Sequence, residues 1–149
     1  MRVLIQRVAH ASVTIEGERV AEIGKGLLVL VGVATTDTEE DVDYLVRKTS
    51  QLRIFDDENG VMNLDVRQID GEVLVVSQFT LQAATRKGNR PSYINAAGEA
   101  VAVPLYESFK SKLSTAIGKP TPSGRFGADM KVELLNDGPV TIWIDSIEK

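Results

Sequence analysis

The chain has no cysteine, so disulfide bridges, thiolate nucleophiles and cysteine-ligated zinc or iron–sulfur centres are all excluded. A reducing compartment is therefore permitted. Histidine occurs once, as His10, within Val8-Ala9-His10-Ala11-Ser12. That context reads as a strand-end or surface histidine rather than a general base. Long apolar runs are also missing: Leu27 to Ala34 is the longest, far below the roughly 20 residues a membrane-spanning helix requires. The stretch Met1 to Val8 is too short and too interrupted by charge for a signal peptide, and its alternation suits a strand. These absences lead us to expect a cytoplasmic protein. With 149 residues, 43% hydrophobic and 26% charged, the chain fits one domain, residues 1–149, around a single sizeable core.

Positive charge is in deficit overall, with a net charge of −4, which argues against a general nucleic-acid coat. The average conceals segregation. Between Val73 and Ala128 seven basic residues face only two acids, Glu99 and Glu107, a surplus of five, so the rest of the chain carries −9. Two readings stay open: a local anion-binding face, or chance clustering on a solvated surface.

Periodicity outlines the elements. Arg2 to Val8 and Ser12 to Ile15 alternate as half-buried strands, and Glu16-Gly17-Glu18 turns the chain into a third run, Arg19 to Ile23, as in a β meander. Leu27 to Val33 reads as a strand buried on both faces. Val42, Leu45, Val46, Thr49 and Leu52 form one helical stripe, and Thr38 with Asp41 resembles a capping box, which predicts a helix from Glu39 to about Leu52. Asp56-Asp57-Glu58-Asn59-Gly60 lacks the ligand periodicity and distal glutamate of a calcium loop and reads as a hairpin turn. Glu72 to Ser77 is a central strand. Leu105, Phe109 and Leu113, with Ala102, Ala116 and Ile117, predict a second helix that holds Pro104 within its first turn and stops at Gly118. Met130 to Leu135 and Val140 to Ile147 complete the strands. The order implies an α+β fold: a strongly curled, largely antiparallel, barrel-like sheet with two main helices packed against it.

Three segments carry chemistry. Ser77-Gln78-Phe79-Thr80-Leu81 lies where a buried strand ends, so hydroxyls and backbone amides can converge beside rigid structure. In Arg86-Lys87-Gly88-Asn89-Arg90-Pro91-Ser92, three cations share a loop with no acid, as phosphate contact requires. Asn136-Asp137-Gly138-Pro139-Val140-Thr141 joins two strands; on its residues alone it is a plain turn, although Gly138 can bring bare backbone near a substrate and Gly-Pro permits a cis bond. Phe79 and Phe126 also suit a core, Ser77 and Thr80 also suit strand-end capping, and Trp143, between Ile142 and Ile144, suits packing or a dimer interface.

Taken together, the segments resemble the D-aminoacyl-tRNA deacylase family. Its two signature motifs correspond to Ser77-Gln78-Phe79-Thr80-Leu81 and Gly138-Pro139-Val140-Thr141, and Gly124-Arg125-Phe126-Gly127-Ala128-Asp129-Met130 resembles a third characteristic stretch. The resemblance runs from Met1 to the C-terminus. Tyr93 departs from it, standing where phenylalanine is commoner. The resemblance implies hydrolysis of the ester between tRNA and a D-amino acid, or glycine mischarged on tRNA(Ala), as chiral proofreading in translation. It implies no cofactor, no metal, and a homodimer in which Gly138-Pro139, held cis, enters the other subunit's pocket. There a backbone carbonyl would fix the substrate's α-amino group, driving an L side chain into Pro139. Arg7 matches the arginine that holds this segment, while Phe126 and Met130 match residues lining the adenosine and substrate pocket.

Ester hydrolysis gathers negative charge on the former carbonyl oxygen and needs preorganised donors. Backbone amides near Phe79 and Thr80 are the candidates. Thr80 is the evident hydroxyl nucleophile but has no histidine beside it, so water or the terminal ribose 2′-hydroxyl is expected to do the chemistry while Ser77, Gln78 and Thr80 position the ester. Arg86, Lys87 and Arg90 are expected to meet the RNA backbone. Two alternatives are an esterase acting on small metabolites through Thr80, and a non-catalytic RNA-binding module.

Overall fold

The N-terminal strand runs on as one 14-residue strand, β1 (Arg2–Ile15), where two shorter strands were expected. Ala9 and His10 are exposed and interrupt the hydrophobic pattern, yet His10 keeps its place opposite Leu135 in the ladder. A change of register therefore mimicked a strand end. The computed structural model describes residues 1–149. It continues with β2 (Glu18–Ile23), β3 (Gly26–Gly32), α1 (Glu39–Ser50), a small hairpin of β4 (Phe55–Asp56) and β5 (Met62–Leu64), β6 (Glu72–Ser77), a 3-10 turn at Phe79–Gln82, α2 (Glu99–Ile117) and β7 (Lys131–Asp145). No helix is long and apolar enough to cross a membrane.

The sheet is mixed and built around β1. β7 runs antiparallel to β1 from Arg2 to Thr14, while β3 pairs with the first half of β1 and β2 with its second half. A strand has only two edges, so β2 and β3 share the edge that β7 leaves free. The expected meander is thus corrected: the order is β2-β1-β3-β6, with the last pair parallel. Such sharing bends β1 and curls the sheet, which gives two buried regions rather than one. The larger contains Val29, Val31, Val73 and Val75 packed with α1 and α2 residues such as Leu45, Phe109 and Leu113. The smaller uses the opposite faces of β3 and β6, with Leu28, Leu74 and Val76 meeting Val8, Val13 and Ile23. Both faces of β3 and β6 are buried, which explains their continuous apolar runs.

The helices begin and end on local signals. Asp41 accepts the Thr38 amide at 2.8 Å at the start of α1, and Asp57 accepts the Asn59 and Val61 amides in the β4–β5 turn, where the hairpin was expected. Pro104 is not in the first turn of α2. The helix begins earlier than its apolar stripe suggests, at Glu99 after Gly98, so Pro104 falls in the second turn. Its missing N–H leaves the Ala100 carbonyl unpaired on an exposed face, where water can satisfy it.

The largest correction concerns the C-terminal strands. The predicted strands on either side of Asn136 to Thr141 are one, β7, antiparallel to β1 throughout. Gln6 pairs with Thr141 and Val8 with Asn136, so residues 137–140 bulge out opposite the single residue Arg7. The Gly138–Pro139 peptide in that bulge is cis.

Candidate active site

β6 ends at Ser77 and the chain turns at once into Phe79–Gln82. The turn lies directly on β3. Gln78 extends the parallel ladder by donating its amide to the Val31 carbonyl at 2.7 Å, and the Gln82 side chain donates to the Gly32 carbonyl at 2.9 Å. A Cβ on Gly32 would stand 2.8 Å from both the Gln78 carbonyl oxygen and the Leu81 Cβ, so only glycine admits so close an approach. The far end is pinned by Arg2, whose Nη1 donates to the Leu81 carbonyl and whose Nε donates to Asp145, each at 2.9 Å.

Opposite this turn the chain returns through Phe126 to Val132. A cavity of about 240 Å³ lies between the two stretches, with Ser77, Gln78 and Phe79 on one wall and Phe126, Met130 and Val132 on the other. It opens at the rim of the smaller core, against which Met130 and Val132 pack. Phe79 is half exposed, and its ring meets that of Tyr93 edge-on, 4.9 Å between centroids. Phe79 and Thr80 begin the 3-10 turn, so their amides have no partner within it, and no bond outside the regular elements uses them. They are unspent donors beside the cavity.

The Thr80 hydroxyl accepts a hydrogen bond from Gln78 Nε2 at 2.5 Å. An amide N–H cannot take a proton, so this partner orients the hydroxyl without activating it. His10 stands exposed on β1 and does not line the cavity.

The expected site residues form three groups. Ser77, Gln78, Phe79, Phe126 and Met130 share the cavity, with Thr80 bonded to its edge. Arg7, Gly138, Pro139, Val140 and Thr141 form a second group at the bulge and do not line that cavity. Here the Thr141 hydroxyl donates to the Gln6 side chain, while Gly138 at φ 133° and Pro139 are exposed. The third group, Arg86, Lys87 and Arg90, projects from a loop closed by reciprocal Ala84–Ser92 backbone bonds; all three are exposed and make no ion pair.

Several contributors escaped the sequence reading. Gln82 and Arg2 fix the turn, and Tyr106 stands behind the cavity. Tyr106 had one legible signal, a phenol among apolar residues one helical turn before Phe109. Arg2 and Gln82 had none, because their partners, the Leu81 carbonyl and Asp145 for Arg2 and the Gly32 carbonyl for Gln82, are distant in sequence.

Residues 4–145 match the family of D-Tyr-tRNA(Tyr) deacylases. The chain belongs to that family. Among its relatives are the D-aminoacyl-tRNA deacylases of Parabacteroides distasonis, 59% identical, and Flavobacterium psychrophilum, 60% identical, each aligned over all of this chain and 99% of the relative. Among solved structures, the c-Myc DNA Unwinding Element Binding Protein superposes with a TM-score of 0.93 at 41% identity, covering 97% of this chain and 98% of that one. A probable eukaryotic D-amino acid tRNA deacylase gives 0.82 at 18% identity, over 96% and 97%, and shows the same fold. The curled sheet with two packed helices is therefore the family's architecture.

Proposed function

We propose that the chain hydrolyses the ester between tRNA and a D-amino acid, and also glycine mischarged on tRNA(Ala), releasing the free amino acid. One observation carries this reading: the Ser77–Phe79 strand end faces Phe126 and Met130 across a cavity, with the unpaired Phe79 and Thr80 amides beside it. Two backbone donors held rigidly by β3 suit an ester oxygen that becomes an anion in the transition state. Because the Thr80 hydroxyl is held by an amide, water attacks the ester carbonyl, alone or assisted by the terminal ribose 2′-hydroxyl taking its proton, the bond to the ribose oxygen breaks with that oxygen leaving protonated, and Ser77, Gln78 and Thr80 position the ester.

Handedness is judged by backbone at Gly138 and Pro139. These residues are exposed and outside the cavity of their own chain, which supports a homodimer in which each copy's Gly138-Pro139 segment enters the other's cleft. A backbone carbonyl of this segment then accepts a hydrogen bond from the substrate's α-amino group, and an L side chain collides with Pro139. Arg86, Lys87 and Arg90 meet the phosphates of the acceptor end.

Incubation with D-tyrosyl-tRNA and its L-enantiomer tests the reading. Selective release of D-tyrosine is expected; equal cleavage of both esters would end the backbone filter. A substrate ending in 2′-deoxyadenosine tests the assistance, since undiminished cleavage removes the ribose hydroxyl from the chemistry. The basic loop, and the 41%-identical structure named for binding a DNA unwinding element, favour a second reading as a nucleic-acid-binding module. Binding without release of the amino acid would support it.

A further inference from the structure

The two walls of the cavity come from distant parts of the chain, and behind them they meet at one place. The Pro122–Gly124 segment lies parallel to β6: Val75 donates its amide to the Pro122 carbonyl at 3.0 Å, and Gly124 donates to the Val75 carbonyl at 3.2 Å. Two residues beyond Val75 is Ser77; two residues beyond Gly124 is Phe126. This short ladder therefore sets the separation of the walls.

Tyr106 of α2 sits across the ladder. It is 1% exposed, and its hydroxyl donates to the same Val75 carbonyl at 3.4 Å. Its ring lies 5.8 Å from that of Phe126, tilted by 55°. One turn along α2, Lys110 places its ammonium 5.0 Å from the Tyr106 ring centre and donates to Ser123 Oγ at 3.2 Å, in the middle of the ladder. Burial raises the pKa of the Tyr106 hydroxyl to about 12, outweighing Ser123 and the Ser77 backbone, which favour the ionised form. The phenol thus stays protonated, a donor at any pH at which tRNA esters survive.

We propose that Tyr106 is a positioning residue for ester cleavage, bolting the Ser77–Phe79 wall to the Phe126–Met130 wall through the Val75 carbonyl and the face of Phe126. This rests on the hydrolytic reading above. A ring alone would fill the space. The hydroxyl adds a buried polar link from α2 to β6, and an ester held against two walls is sensitive to their separation, since a misplacement of about 1 Å costs about a hundredfold in rate.

Tyr106→Phe keeps the ring and deletes the bolt. Steady-state kinetics on D-tyrosyl-tRNA are expected to show kcat falling about tenfold while KM stays within twofold, because tRNA contacts outside the cleft are untouched. In a double-mutant cycle, Ser123→Ala is expected to cost much less in the Tyr106→Phe background than in the wild type, as for two residues on one ladder. Unchanged kcat in Tyr106→Phe, or fully additive losses, would overturn the proposal. Amide hydrogen exchange at Gly124 gives a readout that needs no activity: faster exchange is expected in Tyr106→Phe, with exchange across β1 unaltered. If the wild type released neither enantiomer, the hydrolytic reading would fail on its own, and unchanged Gly124 exchange would then separately refute the bolt.

Discussion

Arg7 and Asp137 face each other across the break in the β1–β7 ladder, with Arg7 Nε donating to the Asp137 carbonyl at 2.8 Å. The same guanidinium donates from Nη1 to the Ile54 carbonyl at 2.7 Å, and Nη2 stands 3.0 Å from where a Gly138 Cβ would be. One planar group therefore joins the bulge to the chain entering β4. Lysine keeps the charge but cannot fork to two carbonyls. Arg7→Lys is expected to lose about 1.5–3 kcal/mol, the contribution of one hydrogen bond to a charged group. It is also expected to lower kcat/KM for D-tyrosyl-tRNA at least tenfold and to narrow the preference for D over L esters. Urea unfolding with parallel assays of both enantiomers checks this; lost stability with an intact preference would detach Arg7 from the discriminator.

A second buried charge lies just before the start of β1. The Met1 ammonium donates to Asp37 Oδ1 at 2.6 Å and to Ser146 Oγ at 2.8 Å, with both charged partners fully buried, and Asp37 Oδ2 accepts the Ala34 amide at 2.6 Å. Removing one member of such a pair strands the other, at a cost of about 3–5 kcal/mol. Asp37→Ala should show that loss in urea unfolding while keeping wild-type activity per folded molecule. A change below about 1 kcal/mol would mean that water reaches the ammonium.

Asp145 gives the fold an acid-labile joint. Burial raises its pKa, but the Ile147 and Glu148 amides and the Arg2 guanidinium together prevail and hold it below its ordinary 3.8. A depressed folded-state pKa contributes stability that is present above the unfolded value and lost as pH falls through the folded one. Wild type should therefore lose stability below about pH 3.8, whereas Asp145→Asn, already neutral, should lose less. Unfolding free energies from pH 7 to 2 are expected to converge in acid, and parallel curves would remove this carboxylate from the acid transition.

Much of this architecture was legible because local patterns agreed with the fold. The stripe Val42, Leu45, Val46 and Thr49 is buried on α1 as its spacing indicated, and the double-sided runs of β3 and β6 are the central strands. What failed to show was pairing. Whether residues 136–141 turn back or bulge depends on a partner strand about 130 residues away, and nothing local to Asn136-Asp137-Gly138-Pro139 encodes that β1 runs alongside both flanks. The cleft divides in the same way. Ser77 to Thr80 stood out because a buried run ends there, but the nearness of Phe126 depends on a ladder between Val75 and Ser123, which no period reports.

The exposed loop offers the cleanest electrostatic test. The Lys87 ammonium has no acidic partner, so its charge is available to a phosphate, whereas Lys112 is already neutralised by Glu39 at 2.9 Å and Asp43 at 2.6 Å. A cation that binds phosphate releases a counterion, and each such contact contributes about 0.7–0.9 to the slope of log affinity against log salt. Lys87→Glu is expected to weaken tRNA binding about tenfold near 50 mM salt and to reduce the slope by about one. Lys112→Gln should leave the slope unchanged, because its ammonium has little free charge to exchange. Titrations of both variants and wild type at several salt concentrations check this. A slope insensitive to Lys87, with affinity lost equally at every salt concentration, would mean that the loop acts by shape or packing and that the RNA backbone runs elsewhere.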